Sequence, residues 1–474
     1  MDWITAIPRT GQALKRGSPW FNSCMPTKAG PWAGINHGLA DAWRGCLPSI
    51  RETIDGMSVA EVQPLGLYVS IPFCRSKCTY CNFASGVHPA SDHARYVDRL
   101  IEDMDRARAR TEQMGVELAR TVDTVYFGGG TPSLLAPELI RKLFAAMRDR
   151  FDFEPDAEIT IECAPGQIAD ETIAAFQVVG VNRLSLGVQS FIDREAQVSG
   201  RLHSRAVVEA DLHRLRLAGI DNLNIDLIAG LAGQTPASWE HSLTMLLDAG
   251  LPHASVYMLE VDEDSRLGRE MLSGGARYSA ELVPTDDAIA QMYTRAIERL
   301  AGGGLEQYEI SNFCRPGRKS RHNMRYWERR PYLGLGLDAS SMFCASAPEE
   351  NDSLEGYVLR STTTSELKEF LAGPSPAETA WLSPARQFEE AWFLGLRLNE
   401  GVHLSALERE FGKETVAPAM TVVDRLLETG LLAFDGENAR LTAQGRLLSN
   451  DVFQQFLGLD LGEVEPRRAR HQES

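Results

Sequence analysis

Three cysteines, Cys74, Cys78 and Cys81, lie close together in this sequence, whereas its five other cysteines are scattered along the chain. Thiolates are the ligands that hold iron–sulfur clusters, and a cluster of four irons usually takes four of them. A set of three would leave one iron open to a cofactor or substrate, as a catalytic zinc keeps one position open. The alternatives are a zinc site that borrows a distant ligand, or three unconnected thiols.

A glycine-rich segment, Gly128-Gly129-Gly130-Thr131-Pro132, directly follows a predicted strand. Glycines allow the backbone to approach a ligand closely and leave its N–H groups free to bind that ligand. A tight turn between a strand and a helix would explain the same residues. Taken alone, the segment is therefore a weak indication of a ligand site.

Three polar residues, Glu162, Gln189 and Asp226, end or interrupt predicted strands that are otherwise apolar. Polar groups within a buried strand cost free energy unless they are paired or bind a ligand. Arg201, which follows Gly200, could pair with a carboxylate group of a cofactor. The alternative for each of these residues is a structural polar group with its hydrogen bonds satisfied.

The elements that must position these residues form a regular pattern from residue 65 onward. Strands are predicted at residues 65–71, 122–127, 158–162, 183–188, 224–228 and 254–259, and helices at residues 92–114, 137–151, 170–179, 204–218 and 237–249. The alternation of strand and helix predicts an α/β fold with a parallel sheet and right-handed crossovers. Six such units predict a partial, TIM-like (β/α)6 barrel, in which chemistry takes place at the C-terminal ends of the strands.

The same patterns predict five parts of the chain. Residues 1–62 are an N-terminal extension of unknown role, 63–300 the core barrel, 301–378 a barrel extension, 379–460 a C-terminal domain, and 461–474 a disordered tail. In the C-terminal domain, a helix that ends near Gly430 precedes two short strands around Asp435-Gly436, a typical hairpin turn. This order predicts a winged-helix-like domain. Because such domains often bind DNA, a DNA-binding regulator with a sensing cluster is one alternative function.

The overall charge limits the partners that this chain can take. Its 474 residues carry a formal net charge of −17, which argues against a broad binding surface for nucleic acid or an anionic membrane. No apolar run is long enough to span a bilayer, and the first residues lack the apolar core of a secretory signal peptide. We therefore expect a cytoplasmic protein with no transmembrane segment and no nucleic-acid partner.

The C-x3-C-x2-C spacing of Cys74, Cys78 and Cys81 resembles that of the radical S-adenosylmethionine (SAM) superfamily. Through residues 67–74, 128–133, 181–191, 224–228, 308–313 and 322–327, the chain is more narrowly similar to the coproporphyrinogen dehydrogenase-like group and, within it, to the heme chaperone branch. The resemblance runs from residue 65 to residue 458. It implies that the three cysteines ligate a [4Fe–4S] cluster and that SAM binds the open iron.

The resemblance also implies binding residues. The positions that match SAM contacts of the family are Tyr68, Tyr80, Gly129, Gly130, Thr131, Glu162, Gln189, Arg201 and Asp226. The His322-Asn323-x-x-Tyr326-Trp327 motif is typical of the chaperone branch and implies a heme-associated segment, with His322 as a candidate axial ligand and a structural histidine as the alternative. The implied function is to bind heme and pass it to acceptor hemoproteins of respiration, with a reductant for the cluster as a further partner.

Two positions bear on the choice between branches of this group. The dehydrogenase branch has a further cysteine where this chain has Phe83, and this difference favours the chaperone branch. Both branches usually have a histidine where this chain has Ser70, and serine cannot replace an imidazole as a ligand or proton carrier. The other alternative function is therefore a radical SAM enzyme, either like oxygen-independent coproporphyrinogen III oxidase or like the HemN-like methyltransferases, that acts on a porphyrin or another substrate.

Overall fold

The structure is a computed structural model that describes residues 63–345, 356–374 and 377–461. The predicted N-terminal extension at 1–62, and all but the first residue of the predicted tail at 461–474, lie outside these ranges. In the part of the chain that is described, no helix is both long and apolar enough to cross a membrane.

Parallel strands alternate with helices through the first half of the described chain. The strands are β1 (Leu65–Ile71), β2 (Thr121–Gly129), β3 (Asp152–Cys163), β4 (Arg183–Gln189), β5 (Leu223–Ala229) and β6 (His253–Met258). The helices between them are α1 (Ala90–Gln113), α2 (Pro137–Arg150), α3 (Asp170–Val179), α4 (Asp193–Val198), α5 (Arg205–Leu217) and α6 (Pro236–Asp248). Each strand pairs in parallel with the next one along the chain, so the predicted α/β fold is confirmed.

The following segment extends this sheet at both edges. Its elements are α7 (Arg266–Leu272), α8 (Asp286–Gly302), β7 (Glu306–Gln307), β8 (Asn312–Cys314), α9 (Arg321–Trp327), β9 (Tyr332–Gly336), β10 (Ser340–Cys344), β11 (Val358–Thr362), α10 (Leu367–Ala372) and β12 (Glu378–Leu382). The described strands form one sheet in the order β12-β11-β10-β9-β1-β2-β3-β4-β5-β6-β8-β7. Because β9 pairs in parallel with β1, the described sheet has a seventh parallel strand, which the prediction of six units missed.

The two faces of the parallel sheet differ in character. On β4, Leu184 and Leu186 belong to the main apolar core, which they share with the helices. Because side chains alternate along a strand, Ser185 and Gly187 lie on the opposite face. The register shifts after Gly187, but the Gln189 side chain stays on this face, since a Cβ atom on Gly187 would lie 3.0 Å from its Nε2 atom. The same alternation places Asp226 on that face of β5, between two core residues. We call this second side of the sheet the polar face, and it carries the candidate binding residues.

The C-terminal domain has a separate apolar core that includes Phe388, Trp392 and Val423. Its elements are α11 (Pro384–Gly395), β13 (Val402–His403), α12 (Leu404–Phe411), α13 (Lys413–Glu428), β14 (Leu432–Phe434), β15 (Asn438–Leu441), α14 (Ala443–Leu447) and α15 (Ser449–Gln454). The strands form a small sheet in the order β13-β15-β14. Helix α13 followed by the β14–β15 hairpin is the arrangement expected of a winged-helix-like domain.

Candidate cluster and cofactor site

The three cysteines lie on the loop that follows β1. This loop folds back on itself, because the N–H of Cys74 donates to the carbonyl oxygen of Gly86 and the N–H of Gly86 donates to that of Pro72, both at 2.8 Å. The ammonium group of Lys77 donates to the carbonyl oxygen of Phe83, also at 2.8 Å. These bonds fix the cysteine loop at the C-terminal end of β1, the end at which barrel proteins carry out their chemistry.

The thiols of Cys74, Cys78 and Cys81 lie near enough to affect one another's ionisation. Burial raises the pKa of Cys74, and the neighbouring Cys81 and Cys78 raise it further. Burial also raises the pKa of Cys81, and Cys78 again adds to this effect. Thiolates this close repel one another unless cationic iron compensates, so the donor set fits a cluster whose binding displaces the thiol protons. Among the described residues, no three His, Cys, Asp or Glu side chains are arranged to hold a single metal ion.

The glycine-rich segment packs directly against the cysteine loop. The N–H of Gly130 donates to the carbonyl oxygen of Ile71, and that of Thr131 to the carbonyl oxygen of Phe73, both at 2.8 Å. A Cβ atom on Gly130 would lie 2.8 Å from the Phe73 carbonyl oxygen. The Thr131 hydroxyl oxygen lies 3.9 Å from Sγ of Cys74. The close approach that glycine permits is therefore made, at least at Gly130, to the cysteine loop itself.

Arg201 connects the cysteine loop to β4. Its Nη1 atom lies 3.5 Å from Sγ of Cys78, and its Nη2 atom donates to the carbonyl oxygen of Gly187. Burial lowers the pKa of Arg201, but Cys78, Tyr80 and Asp226 together raise it above its ordinary value. These contacts place Cys78 of the cysteine loop and Gly187 of β4 around one guanidinium group, and Asp226 of β5 lies near enough to affect its pKa.

Gln189 provides an acceptor atom that the protein leaves open. The residue is 5% exposed, and its backbone has a φ of 68°, which is uncommon for a residue other than glycine. Its Oε1 atom is buried and has no hydrogen-bond partner among the described residues. A buried acceptor without a donor costs about 1–3 kcal/mol, so a bound ligand that donates a hydrogen bond here would remove this cost.

Glu162, Asp226 and Tyr68 lie on the polar face. Glu162 accepts a hydrogen bond of 2.8 Å from the hydroxyl group of Tyr126. The ring of Tyr126 in turn stacks on that of Tyr68, with the ring centroids 6.3 Å apart. Asp226 accepts a hydrogen bond of 3.1 Å from the hydroxyl group of Ser185. The residues that were predicted as cofactor contacts thus lie on the cysteine loop, on the segment that packs against it, on the polar face and, for Arg201, between α4 and α5.

His322 lies on α9 and packs against β2. Its ring stacks on that of Tyr126 at a centroid distance of 5.2 Å. Its Nδ1 atom is 3.0 Å from the Thr124 hydroxyl oxygen, and its Nε2 atom is 2.7 Å from the Tyr326 hydroxyl oxygen. The residue is 1% exposed, and burial lowers its pKa well below the usual range. Both ring nitrogens are engaged, so this conformation does not present His322 as an axial ligand, and its association with heme stays a prediction.

Comparison with known proteins identifies the family to which this chain belongs. The profile of the Radical SAM superfamily matches residues 68–246, and that of the HemN C-terminal domain matches residues 382–448. The chain is 32% identical to the heme chaperone HemW of Lactococcus lactis over 395 residues, which are 83% of this chain and 98% of that protein. The chain belongs to the HemW family.

Other HemW proteins match over a similar length. The heme chaperone HemW of Bacillus subtilis is 31% identical, over 82% of this chain and 98% of that protein. The Escherichia coli HemW is 28% identical, over 84% of this chain and 100% of that protein. The structure of E. coli coproporphyrinogen III oxidase (HemN), which is 24% identical, superposes with a TM-score of 0.69 and covers 83% of this chain and 90% of that chain. This likeness supports the radical SAM fold, and membership of that superfamily implies a [4Fe–4S] cluster and SAM.

The two positions that bear on the choice of branch have defined surroundings in this HemW-family chain. Phe83 is half-buried on the cysteine loop, where its carbonyl oxygen receives the Lys77 ammonium group. Ser70 is 5% exposed, and a Cβ atom added to Gly129 would lie 2.9 Å from its hydroxyl oxygen. Gly129 also has a φ of 100°, a conformation that favours glycine. Because Gly129 has no side chain, it leaves room for the Ser70 hydroxyl group beside it.

Two further residues shape this HemW-family site and were not predicted from the sequence. Lys77 holds the cysteine loop closed, but a lysine inside the C-x3-C spacing carries no pattern that predicts such a role. Tyr126 links Glu162 to His322, and its position could have been found from the alternation of β2, because Val125 and Phe127 on either side belong to the apolar core.

Proposed function

We propose that this chain is a heme chaperone, which binds heme and transfers it to acceptor hemoproteins, and which carries a [4Fe–4S] cluster with exchangeable SAM. The observation that carries this proposal is the 32% identity to the heme chaperone HemW of L. lactis across 98% of that protein. This match extends beyond the cluster-binding domain, because it covers 395 residues, whereas the profile of the Radical SAM superfamily covers only residues 68–246.

The cofactor part of the proposal assigns roles to named residues. Cys74, Cys78 and Cys81 hold the cluster, and Arg201 pairs with the carboxylate group of SAM, as guanidinium groups commonly do. The open Oε1 atom of Gln189 accepts a hydrogen bond from the same ligand. When bound, the cluster supplies an iron that the amino and carboxylate groups of SAM can ligate, and a centre that an external reductant can reduce.

For heme, the proposal keeps the α9 motif as the associated segment but gives His322 a supporting role. An imidazole binds iron through a ring nitrogen that carries no proton. The ring nitrogens of His322 are instead held by Thr124 and Tyr326, inside the protein. We therefore expect His322 to fix α9 against β2, and expect another group to contact heme iron.

The test is anaerobic reconstitution of the full chain, followed by a heme titration read by absorbance. We expect stoichiometric heme binding by the wild type and an unchanged heme spectrum in His322→Ala. Thr124→Val is the matched control, because it removes one partner of His322 and leaves the imidazole in place. Loss of the heme spectrum in His322→Ala but not in Thr124→Val would make His322 the ligand. A wild type that holds its cluster and binds no heme would contradict the chaperone function.

Transfer and catalysis are tested separately. Heme-loaded protein mixed with a respiratory apo-hemoprotein is expected to lose its heme to that acceptor. Release of 5′-deoxyadenosine that depends on an added porphyrin would instead favour the alternative, a radical SAM enzyme. We also propose that the protein works in the cytoplasm, where reducing conditions keep the cluster thiols free of disulfides.

A further inference from the structure

A chain of buried hydrogen bonds runs from Asp226 to the start of α9. The Nδ2 atom of Asn224 donates to Oδ1 of Asp226 at 2.8 Å, and Oδ1 of Asn224 lies 2.6 Å from Nδ1 of His253. The Nε2 atom of His253 lies 3.0 Å from the hydroxyl oxygen of Tyr308, which accepts the N–H of Ser320 at 3.2 Å. Ser320 is the N-cap residue of α9, so the chain connects a predicted SAM contact with the helix that carries the His322 motif.

The partners in this hydrogen-bond chain fix which group donates and which accepts in each hydrogen bond. Because Asn224 presents its Nδ2 donor to Asp226, its Oδ1 atom faces His253 and can only accept. The Nδ1 atom of His253 must therefore carry the proton, and the Nε2 atom of the neutral ring must accept. The hydroxyl group of Tyr308 consequently donates to His253, while its oxygen accepts the N–H of Ser320. All donors thus point toward Asp226.

Burial makes this direction stable. Asn224 is 2% exposed, and His253 and Ser320 are 0% exposed, so bulk water does not compete for these bonds. Burial also lowers the pKa of His253 well below its usual range, and the nearby Arg183 lowers it further. The ring is therefore neutral and keeps a single tautomer.

The hydrogen-bond chain ends at Asp226, where it fixes the orientation of the carboxylate group. Asn224 donates to Oδ1, and the Ser185 hydroxyl group donates to Oδ2 at 3.1 Å, so each oxygen has one donor from the sheet. Asp226 also raises the pKa of Tyr257, in addition to the larger effect of burial there. It likewise contributes to the pKa of Arg201, the residue that contacts Cys78. The oriented carboxylate therefore lies within reach of the candidate cofactor site.

We propose that His253 and Tyr308 are positioning residues for SAM. They hold Asp226, through Asn224, in the orientation in which it meets the cofactor, and they connect that orientation to the first turn of α9. This inference rests on the proposed contact between Asp226 and SAM, and it does not depend on heme binding. Neither residue is proposed to touch SAM itself, since both act through Asn224 and Asp226.

The test compares SAM affinity among variants of the reconstituted full chain, measured by calorimetry. Tyr308→Phe removes one hydroxyl group from the hydrogen-bond chain, and His253→Leu removes both hydrogen bonds of the imidazole ring. Tyr293→Phe is the matched control, because the Tyr293 hydroxyl group is also buried and also has two partners, the Ile310 carbonyl oxygen at 2.5 Å and the Gln307 amide at 2.8 Å. Cluster content is measured in each sample by iron analysis.

We expect Tyr308→Phe to weaken SAM binding by about threefold to tenfold and His253→Leu by more, as for the loss of one or two buried hydrogen bonds. Tyr293→Phe is expected to lose thermal stability but to bind SAM as the wild type does. His253→Asn is expected to recover part of the loss seen in His253→Leu, because its amide N–H can replace the Nδ1 donor toward Asn224.

Several results would overturn the inference. These are wild-type SAM affinity in Tyr308→Phe, an equal loss of affinity in Tyr293→Phe, or equal affinities in His253→Asn and His253→Leu. A wild-type protein with its cluster in place that does not bind SAM would overturn both the cofactor assignment and this inference. A heme titration of the same samples separates the two proposals, because a failure to bind heme contradicts the chaperone function alone.

Discussion

The guanidinium group of Arg201 and the thiol of Cys78 are in contact, with 3.5 Å between Nη1 and Sγ. The contact places a fixed positive charge beside a predicted cluster ligand. The same guanidinium group also binds the Gly187 carbonyl oxygen at the end of β4, so it can turn little. Arg201 therefore couples the position of the cysteine loop to the site that is proposed for SAM.

Arg201→Lys is expected to retain the cluster but to weaken SAM binding by about tenfold or more. Lysine keeps the charge but lacks the planar fork that reaches Cys78, Gly187 and a carboxylate group together. Calorimetric titration with SAM, with iron content measured on the same sample, checks this. Wild-type affinity in Arg201→Lys would show that the fork is not needed.

Gly130→Ala is expected to lower the iron content after reconstitution and to lower the melting temperature. The new Cβ atom would lie 2.8 Å from the Phe73 carbonyl oxygen, so the cysteine loop must shift. Gly302→Ala is the matched control, because a Cβ atom at the end of α8 meets no heavy atom of the described chain within 4 Å. That change should leave the iron content unchanged. Equal iron content in the two variants would contradict the prediction.

Asp123→Ala is expected to destabilise the protein by about 3–5 kcal/mol, because it removes a partner of a buried cation. Arg325, which is 0% exposed, pairs with one Asp123 oxygen, and Arg330 contacts the other at 2.7 Å. Urea unfolding followed by circular dichroism measures the effect. Asp152→Ala removes an exposed ion pair with Arg120 and should change stability little. A similar midpoint in both variants would argue against the role given to Asp123.

His203→Gln is expected to make stability less dependent on pH between pH 7 and 5. Burial lowers the pKa of His203 to about 4, and Arg201 adds to this effect, whereas the unfolded chain titrates near 6.5. Between these two pKa values the unfolded state binds a proton that the folded state does not. The contribution of His203 to the free energy of unfolding is therefore fully present above pH 6.5 and is lost as the pH falls toward 4. Glutamine can still donate to the Val188 carbonyl oxygen, which His203 contacts at 3.1 Å. Identical pH slopes in urea unfolding would contradict this assignment.

The sequence predicted those parts of the fold that depend on local signals. The predicted strand at 65–71 and helix at 170–179 coincide with β1 and α3, because a short apolar run and an amphipathic stretch define them. β3 begins at Asp152, six residues before its predicted start. Its first six residues mix polar and apolar side chains and include Pro155, and they become a strand because Asp152 pairs with Thr121 of β2. Pairing of this kind is not visible in the composition of either segment.

The sequence also could not place elements that depend on distant partners. β9 contains two glycines among its five residues, which hides it as a strand, and its place is fixed by pairing with β1. The His322 motif was recognised by resemblance, but its aromatic stack on Tyr126 depends on how α9 packs against β2. For the same reason, nothing in the sequence indicated that both ring nitrogens of His322 would be engaged.

The position of β1 between β2 and β9 has a consequence for the synthesis of this protein. Until the ribosome has produced Tyr332–Gly336, one edge of β1 has no partner, and an open strand edge can pair with other chains. Long-range strand pairing is also slow compared with the formation of local structure. Because β1 leads directly into the cysteine loop, a nascent chain carries its cluster ligands on an unfinished sheet. Cluster loading is therefore expected to follow, and not to accompany, translation of the core.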